Sequence, residues 1–336
     1  MLPQTNNYYP QPKKRHSASI LLTTLVGTLI VFTGITQHQN IYDQWKLHGY
    51  TPTKSVAELA TQASLTNYAR KIYYVNHPQI LKGNLFTQAC PNEAREKTII
   101  LGCYRGGQQG ISLLGVSEPL LNGVEQVTAA HEMLHAAYDR LSSGDKTKLN
   151  VMLESYYKNE LHDSRILAII NAYKISEPND VVNEMHSVFG SEIAKLPQPL
   201  EQYYKRYFID RGLVTGFAAK YQAEFTNRQN AILKYDEQLM SLKTQIGAME
   251  SELRDKLAVV NNQQANLLSL RNSDVRAYNA GVPGYNNLVD NYNSEADNLQ
   301  SLISQYNQLV ASRNAVVVEE DQLAKQLSST AQQINK

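Results

Sequence analysis

The sequence has almost no excess of charge of either sign. Its 336 residues include 32 Lys and Arg against 31 Asp and Glu, so the formal net charge at pH 7 is only +1. Nucleic-acid binding needs a surplus of Lys and Arg on one face, because the protein must neutralise phosphates. The composition therefore predicts no nucleic-acid partner, and a hydrophobic content of 42% predicts a chain that folds.

Cysteine is equally scarce, since only Cys90 and Cys103 occur. Two cysteines at this spacing do not provide the paired C-x-x-C motifs of a structural zinc site. In an exported domain they could close a short disulfide loop, which would stabilise the fold by about 3 kcal/mol. Two free thiols are the alternative, and both possibilities stay open because a sequence does not give the geometry of the pair.

The chain contains a single long apolar run. Ser17–Thr36 carries no charge and, at about 1.5 Å per residue, is long enough to cross a hydrocarbon core of about 30 Å. A cleaved signal peptide is the alternative, but the run is longer than a typical apolar core and lacks a small-x-small site before Gln37. The basic cluster Lys13–Arg15 precedes it. The positive-inside rule thus predicts a single-pass cell-membrane protein with a cytoplasmic N-terminus and an extracytoplasmic remainder.

Short strand patterns precede a series of helical patterns. Two β-like runs, Thr98–Tyr104 and Gln109–Val116, flank a turn containing two glycines. This order is typical of an α+β fold. The apolar periodicity predicts helices over residues 53–65, 124–141, 146–161, 164–175, 180–195 and 200–208.

The predicted helix at 124–141 carries the sequence His131-Glu132-Met133-Leu134-His135. Two histidines four residues apart lie on one helical face, where both imidazoles can bind one metal ion. Glu132 lies about 100° round the helix from His131 and can approach a water molecule at the metal. The pattern therefore predicts His131 and His135 as metal ligands and Glu132 as a catalytic general base.

At this motif the sequence resembles the zincin metallopeptidases, because VTAAHEMLHAA follows the pattern of their active-site helix. The resemblance covers about residues 55–210. It implies an α+β zincin-like catalytic domain that binds Zn²⁺ and hydrolyses peptide bonds in a peptide or protein substrate. Tyr138 stands where metzincins carry glycine, and no histidine follows at the metzincin interval. The resemblance is therefore to gluzincins.

Gluzincins take their third metal ligand from a glutamate on a later helix, often preceded by asparagine. Asn183 and Glu184 match this pattern, so the resemblance implies Glu184 as the third zinc ligand. The acidic residue that thermolysin-like members carry four positions later is replaced by Val188.

Two other side chains could take the place of Glu184. Asp139 lies four residues after His135, so it could complete the site or orient a ligand imidazole. His186 would point about 200° away from Glu184 on the same helix, which argues against joint ligation by both.

The C-terminal third of the chain carries a heptad pattern. Apolar residues recur every seven positions from Ile232 to Leu267, and a second, weaker series runs from Tyr292 to Leu327. Gly281–Gly284 is predicted to break the helix between them. An antiparallel coiled-coil hairpin is the simplest prediction, and a parallel homodimer through the first arm is the alternative.

The predicted organisation has four segments: a disordered cytoplasmic tail (1–16), a transmembrane helix (17–36), a zincin-like metallopeptidase domain (37–217) and an all-α coiled-coil helical hairpin (218–336). The predicted function is a membrane-anchored extracytoplasmic zinc metallopeptidase. The alternative is a non-catalytic cell-envelope scaffold that binds a protein partner, or itself, through the coiled coil.

Overall fold

The computed structural model describes residues 3–4, 37–91 and 100–327. The first helix described, α1, covers residues 37–47. The later helices are α2 (Lys54–Gln62), α3 (Asn67–Val75), α4 (Gly83–Ala89), α5 (Val124–Asp139), α6 (Ser143–Asn159), α7 (Ser164–Ser176), α8 (Val181–Glu192), α9 (Gln198–Tyr204), α10 (Arg211–Leu270) and α11 (Val275–Leu327), with a 3-10 turn at Pro119–Leu121.

Three short strands form the sheet that lies beside α5. β1 (Gln79–Leu81) runs parallel to β3 (Gly110–Leu114), and β2 (Gly102–Arg105) runs antiparallel to it, giving the order β1-β3-β2. Both predicted strands are present, as β2 and β3, with a turn between them; residues 98 and 99 of the first prediction lie outside the described ranges. β1 has only three residues and was not predicted, and β3 rather than β2 is the central strand.

Helix α5 runs through the middle of the hydrophobic core. It packs against α2, α3, α8, α10 and the sheet. Small side chains let the neighbouring elements approach closely, and the chain enters α5 through Gly123, whose φ of 118° favours glycine. A Cβ there would also lie 2.9 Å from the carbonyl oxygen of Phe217. The fully or almost fully buried residues in the centre of α5 are Ala129, Ala130, Met133, Leu134, Ala136 and Ala137.

The two longest helices, α10 and α11, form an antiparallel hairpin. Cross-helix contacts show the direction, since Gln229 donates to Glu320 (3.1 Å) and Arg313 Nε donates to Asp236 (2.8 Å). Three positions of the predicted heptad series are buried: Leu253, Val260 and Leu267. The predicted coiled-coil hairpin is therefore confirmed as a helical hairpin.

The predicted break at Gly281–Gly284 is wrong, because α11 continues through this segment with Pro283 inside it. The chain instead turns at residues 271–274. A Cβ at Gly281 would lie 2.7 Å from Leu267 Cδ2, so this glycine lets the two helices approach closely. The free energy that α11 gains by packing against α10 outweighs the loss of the one backbone hydrogen bond that Pro283 cannot donate.

The described chain is thus mostly helical, with one small sheet and a long hairpin. None of the helices in the described ranges has the length and hydropathy that a membrane span requires. The predicted span at 17–36 and most of the predicted tail at 1–16 lie outside these ranges.

Candidate metal centre

The two motif histidines lie one turn apart on α5 and point toward the same position. Their Nε2 atoms are 3.0 Å apart. Both side chains are largely buried, with 17% of His131 and 13% of His135 exposed. Helix α5 fixes this arrangement because the positions around the histidines are packed into the core, so the i, i+4 geometry predicted from the sequence is present.

Helix α8 brings Glu184 to the same point from across the core. Its Oε2 lies 3.7 Å from His131 Nε2 and 3.3 Å from His135 Nε2. α8 approaches α5 closely at Gly190, where a Cβ would lie 2.5 Å from Leu134 Cδ1. The structure therefore brings together the three residues predicted as ligands, and this group could hold a metal ion.

The Glu184 carboxylate and the two imidazoles change one another's pKa values. Burial lowers the pKa of His135, but the hydrogen bond and negative charge of Glu184 outweigh it and raise this pKa to about 9. The pKa of His131 is also raised, because the same carboxylate outweighs burial. Burial raises the pKa of the Glu184 carboxyl, but the positive charge and the hydrogen bonds of the two histidines outweigh burial and lower this pKa to about 2. Glu184 is therefore a buried anion that attracts positive charge to this point.

Glu132 lies beside the cluster and beneath strand β2. Its side chain is buried, with 5% of the residue exposed, and burial raises its carboxyl pKa. The two histidines and the backbone N–H of Tyr104 on β2 act against this rise. A buried carboxylate with a raised pKa is suited to accept and return a proton.

Gly102 on β2 makes the position of Glu132 possible. A Cβ at this position would lie 2.5 Å from Thr128 Cγ2 and 2.9 Å from Glu132 Oε1. Any side chain here would therefore push the strand or the carboxylate away. Gly102 was not predicted as a site residue, because a glycine at the start of a short strand carries no local signal that it faces a helix.

A cleft of about 660 Å³ opens from the cluster and is lined by His131, Glu132 and Glu184. The other lining side chains are a mixture of apolar, tyrosine and polar residues. Some of them come from the base of the hairpin, namely Tyr221 and Phe225 on α10 and Leu327 on α11. The sequence analysis assigned the hairpin to a separate unit and did not predict that it would form part of this wall.

A polar network ties the hairpin to this cleft. Glu192, at the end of α8, accepts hydrogen bonds from Arg165 Nη1 on α7 (2.7 Å) and from Gln222 Nε2 on α10 (2.9 Å). All three residues line the cleft. The helix that carries Glu184 is thus linked to the base of the hairpin at the wall of the cleft.

The start of α10 also holds the C-terminal end of α8. Arg211 is buried and its guanidinium donates to the carbonyl oxygens of Ile193 and Ala194 and to the carboxylate of Glu201. A cation at a helix C-terminus stabilises the exposed carbonyl groups there. Helix α10 therefore supports the end of α8 at two places, through Gln222 and through Arg211.

Asp139 does not reach the cluster. Its Oδ2 accepts hydrogen bonds from the hydroxyl of Tyr104 (2.8 Å) and from the backbone N–H of Gly107 (3.0 Å). The spacing to His135 placed Asp139 near the same helical face, but the β2–β3 turn binds it instead. Its observed contacts fix this turn to the end of α5.

His186 is fully buried and lies away from the cluster of His131, His135 and Glu184. Its Nε2 is 3.1 Å from the hydroxyl of Tyr203, and its ring stacks on Tyr204 with centroids 5.6 Å apart. Burial, followed by the positive charge of His135 and His131, lowers its pKa to about 3. His186 is therefore a neutral packing residue behind the cluster.

Cys90 and Cys103 form a disulfide, with their Cα atoms 5.8 Å apart. The bond joins the end of α4 to β2. Because β2 covers Glu132, the disulfide restrains the strand that lies above the cluster. The open alternative of two free thiols is excluded in the structure.

Comparisons with protein-family models, with curated proteins and with solved structures find no match to this chain.

Proposed function

We propose that this protein is a membrane-anchored zinc metallopeptidase with a gluzincin-like catalytic domain. The observation that carries the proposal is the convergence of His131, His135 and Glu184 at one point, with the Glu132 carboxylate beside it and a cleft leading to it. Two imidazoles and one carboxylate are a ligand set of catalytic zinc sites, which leave one position for water or substrate.

The distances within the cluster fit zinc. Ligand atoms at about 2.0–2.1 Å from a tetrahedral ion are about 3.3 Å from each other. The three separations among His131 Nε2, His135 Nε2 and Glu184 Oε2 are 3.0, 3.3 and 3.7 Å, so they scatter around this value. Bound zinc would lower the pKa of water toward neutrality and polarise the scissile carbonyl.

Glu132 would act as the general base. Its carboxylate would accept a proton from the attacking water and pass it to the leaving amine. Its burial supports this role, because desolvation raises the pKa of the carboxyl toward the range in which a proton is readily accepted and returned. Gly102 and the N–H of Tyr104 would keep the carboxylate in position.

The sheet supports a peptide as the substrate class. β3 is the central strand and β2 is an edge strand. Gly102 on β2 and the preceding Ile100 and Leu101 line the cleft. An extended peptide could pair with such an edge through backbone hydrogen bonds, while the apolar residues of the cleft accept its side chains. β3 does not offer such an edge, because it is already paired on both sides.

The membrane anchor is proposed from the sequence, because the uncharged run Ser17–Thr36 directly precedes the domain. The basic cluster before this run places the domain outside the cytoplasm. The Cys90–Cys103 disulfide supports that location, since disulfides persist in oxidising compartments.

Metal content and peptide hydrolysis of the detergent-solubilised full chain test the proposal. The parent is expected to bind about one zinc per chain, and His135→Ala and Glu184→Ala are expected to lose it. Glu132→Gln should keep zinc and lose hydrolysis. His162→Ala is the matched control, because this exposed histidine lies outside the cluster and its loss should change neither quantity.

A folded parent that binds no zinc, or a Glu132→Gln variant that hydrolyses peptides at the parental rate, would refute the peptidase proposal. Circular dichroism of each variant separates loss of metal from loss of the fold.

A partner-binding role for the hairpin is the second candidate. The hairpin exposes large apolar side chains, among them Leu233 (66%), Met240 (73%) and Leu268 (60%). Such side chains on a solvated helix favour an interaction surface. The oligomeric mass of a Leu233→Glu/Met240→Glu double variant tests self-association, because an unchanged mass relative to the parent would exclude this surface as a dimer contact.

A further inference from the structure

One face of α1 is fixed to the domain by buried polar contacts. Asp43 is 2% exposed and accepts two hydrogen bonds from the guanidinium of Arg140, at 2.9 and 3.2 Å. Lys71 Nζ lies 3.0 Å from the same carboxylate. Gln39 on α1 also donates to Gln108 in the β2–β3 turn (3.0 Å). Because five side chains, two from α1 and three from the domain, meet here, the orientation of α1 is defined.

The opposite face of α1 carries two large apolar side chains in solvent. Ile41 is 57% exposed and Trp45 is 69% exposed. Each lies two residues from Asp43, which places it about 200° round the helix and hence away from the domain. Ile41 and Trp45 are four residues apart and therefore share one face. Between residues 37 and 47 no exposed carboxylate accompanies them, since Asp43 is buried.

We propose that the face of α1 formed by Ile41 and Trp45 lies in the interface of a phospholipid bilayer. This inference rests on the membrane anchoring proposed above. The uncharged run Ser17–Thr36 ends one residue before α1 begins in the described chain. A surface this close to a span meets the headgroup region, where tryptophan is enriched because it combines an apolar ring with a polar N–H.

The charge of α1 fits this occupant. The exposed part of the helix carries no negative side chain that an anionic headgroup would repel. The contact would also orient the catalytic domain. Arg140, which binds Asp43, directly follows the last residue of α5, so the membrane-facing helix is tied to the end of the helix that carries the motif histidines.

Tryptophan fluorescence tests the proposal directly, because Trp45 is the only tryptophan in the chain. The full chain is reconstituted into vesicles of phosphatidylcholine and phosphatidylserine, with and without lipids brominated near the headgroup end of the acyl chain. Trp45 emission is expected to be blue-shifted and to be quenched by the brominated lipid.

Ile41→Asp places a charge in the same face while leaving any tether to the vesicle intact. Its emission is expected to shift to the red and its quenching to be lost. The matched control is Ile175→Asp on α7, a position that is 85% exposed and lies outside α1, where no change is expected.

The proposal is overturned if Trp45 of the parent emits as in water and is not quenched, if Ile41→Asp leaves the quenching unchanged, or if the chain does not float with the vesicles. Zinc content and peptide hydrolysis measured in detergent do not depend on this contact. Their loss would refute the proposed peptidase function, and failure of the fluorescence test would leave that function standing.

Discussion

Replacing Gly102 with alanine is expected to weaken both folding and hydrolysis, for two separable reasons. The new Cβ would lie 2.5 Å from Thr128 Cγ2, a buried methyl group that cannot move away, and 2.9 Å from Glu132 Oε1. Overpacking of a core contact costs about 1–3 kcal/mol of unfolding free energy. Displacing a catalytic group by about 1 Å reduces the rate by about 10²-fold. Zinc content should stay unchanged, because Glu132 is not among the proposed ligands.

The second substitution Thr128→Ser separates the two effects. Serine lacks Cγ2 but keeps the hydroxyl that donates to the carbonyl oxygen of Val124 (2.8 Å). Gly102→Ala/Thr128→Ser should therefore recover most of the lost stability, while hydrolysis stays low because the contact with Glu132 remains. Thr128→Ser alone is the control, and removal of one methyl group should cost about 1 kcal/mol.

Urea unfolding and the hydrolysis rate of a fluorogenic peptide give the two readouts. A Gly102→Ala variant with parental stability would refute the close packing of β2 on α5. If the variant is less stable but hydrolyses the peptide at the parental rate, the proposed hydrolysis does not depend on the position of Glu132 under this strand.

Three further predictions concern pH, the disulfide and the cleft. The metal-free protein should lose stability between about pH 6.5 and pH 9, because the raised pKa of His135 contributes stability only while the ring is protonated. Urea unfolding across this range should show the loss, and Glu184→Gln should flatten it; a parental slope in that variant would contradict the coupling. Cys90→Ser/Cys103→Ser should lower the unfolding free energy by about 3 kcal/mol, and an unchanged urea midpoint would contradict the restraint. Phe225→Ala should raise KM without changing zinc content, and an unaltered KM would exclude the hairpin from substrate binding.

The motif helix and the placement of its two histidines could be predicted because their signals are local. The spacing of His131 and His135 fixes their geometry once α5 forms, and the absence of Gly and Pro made that helix predictable. Glu184 came from a resemblance in sequence, and the structure brings it within 3.3 Å of His135 Nε2.

Other parts of the fold depend on contacts that no local pattern reports. α3 was not predicted, although Thr66 caps it and Ala69, Ile72 and Tyr73 form its buried face. Strand β1 has too few residues to show alternation. The helix through Pro283 was missed because the cost of proline is local, whereas the packing that outweighs it comes from a partner helix distant in sequence.

Helix α10 runs as one unbroken helix from the core to the tip of the hairpin. Ala218 is the last buried residue of its first two turns, and the helix ends at Leu270. At about 1.5 Å per residue the tip lies about 80 Å from Ala218, whereas Phe225 at the cleft lies about 10 Å from it. If such a helix pivots at Ala218, a displacement of about 8 Å at the tip corresponds to one of about 1 Å at Phe225. A large movement of the tip would therefore reach the cleft only as a small one.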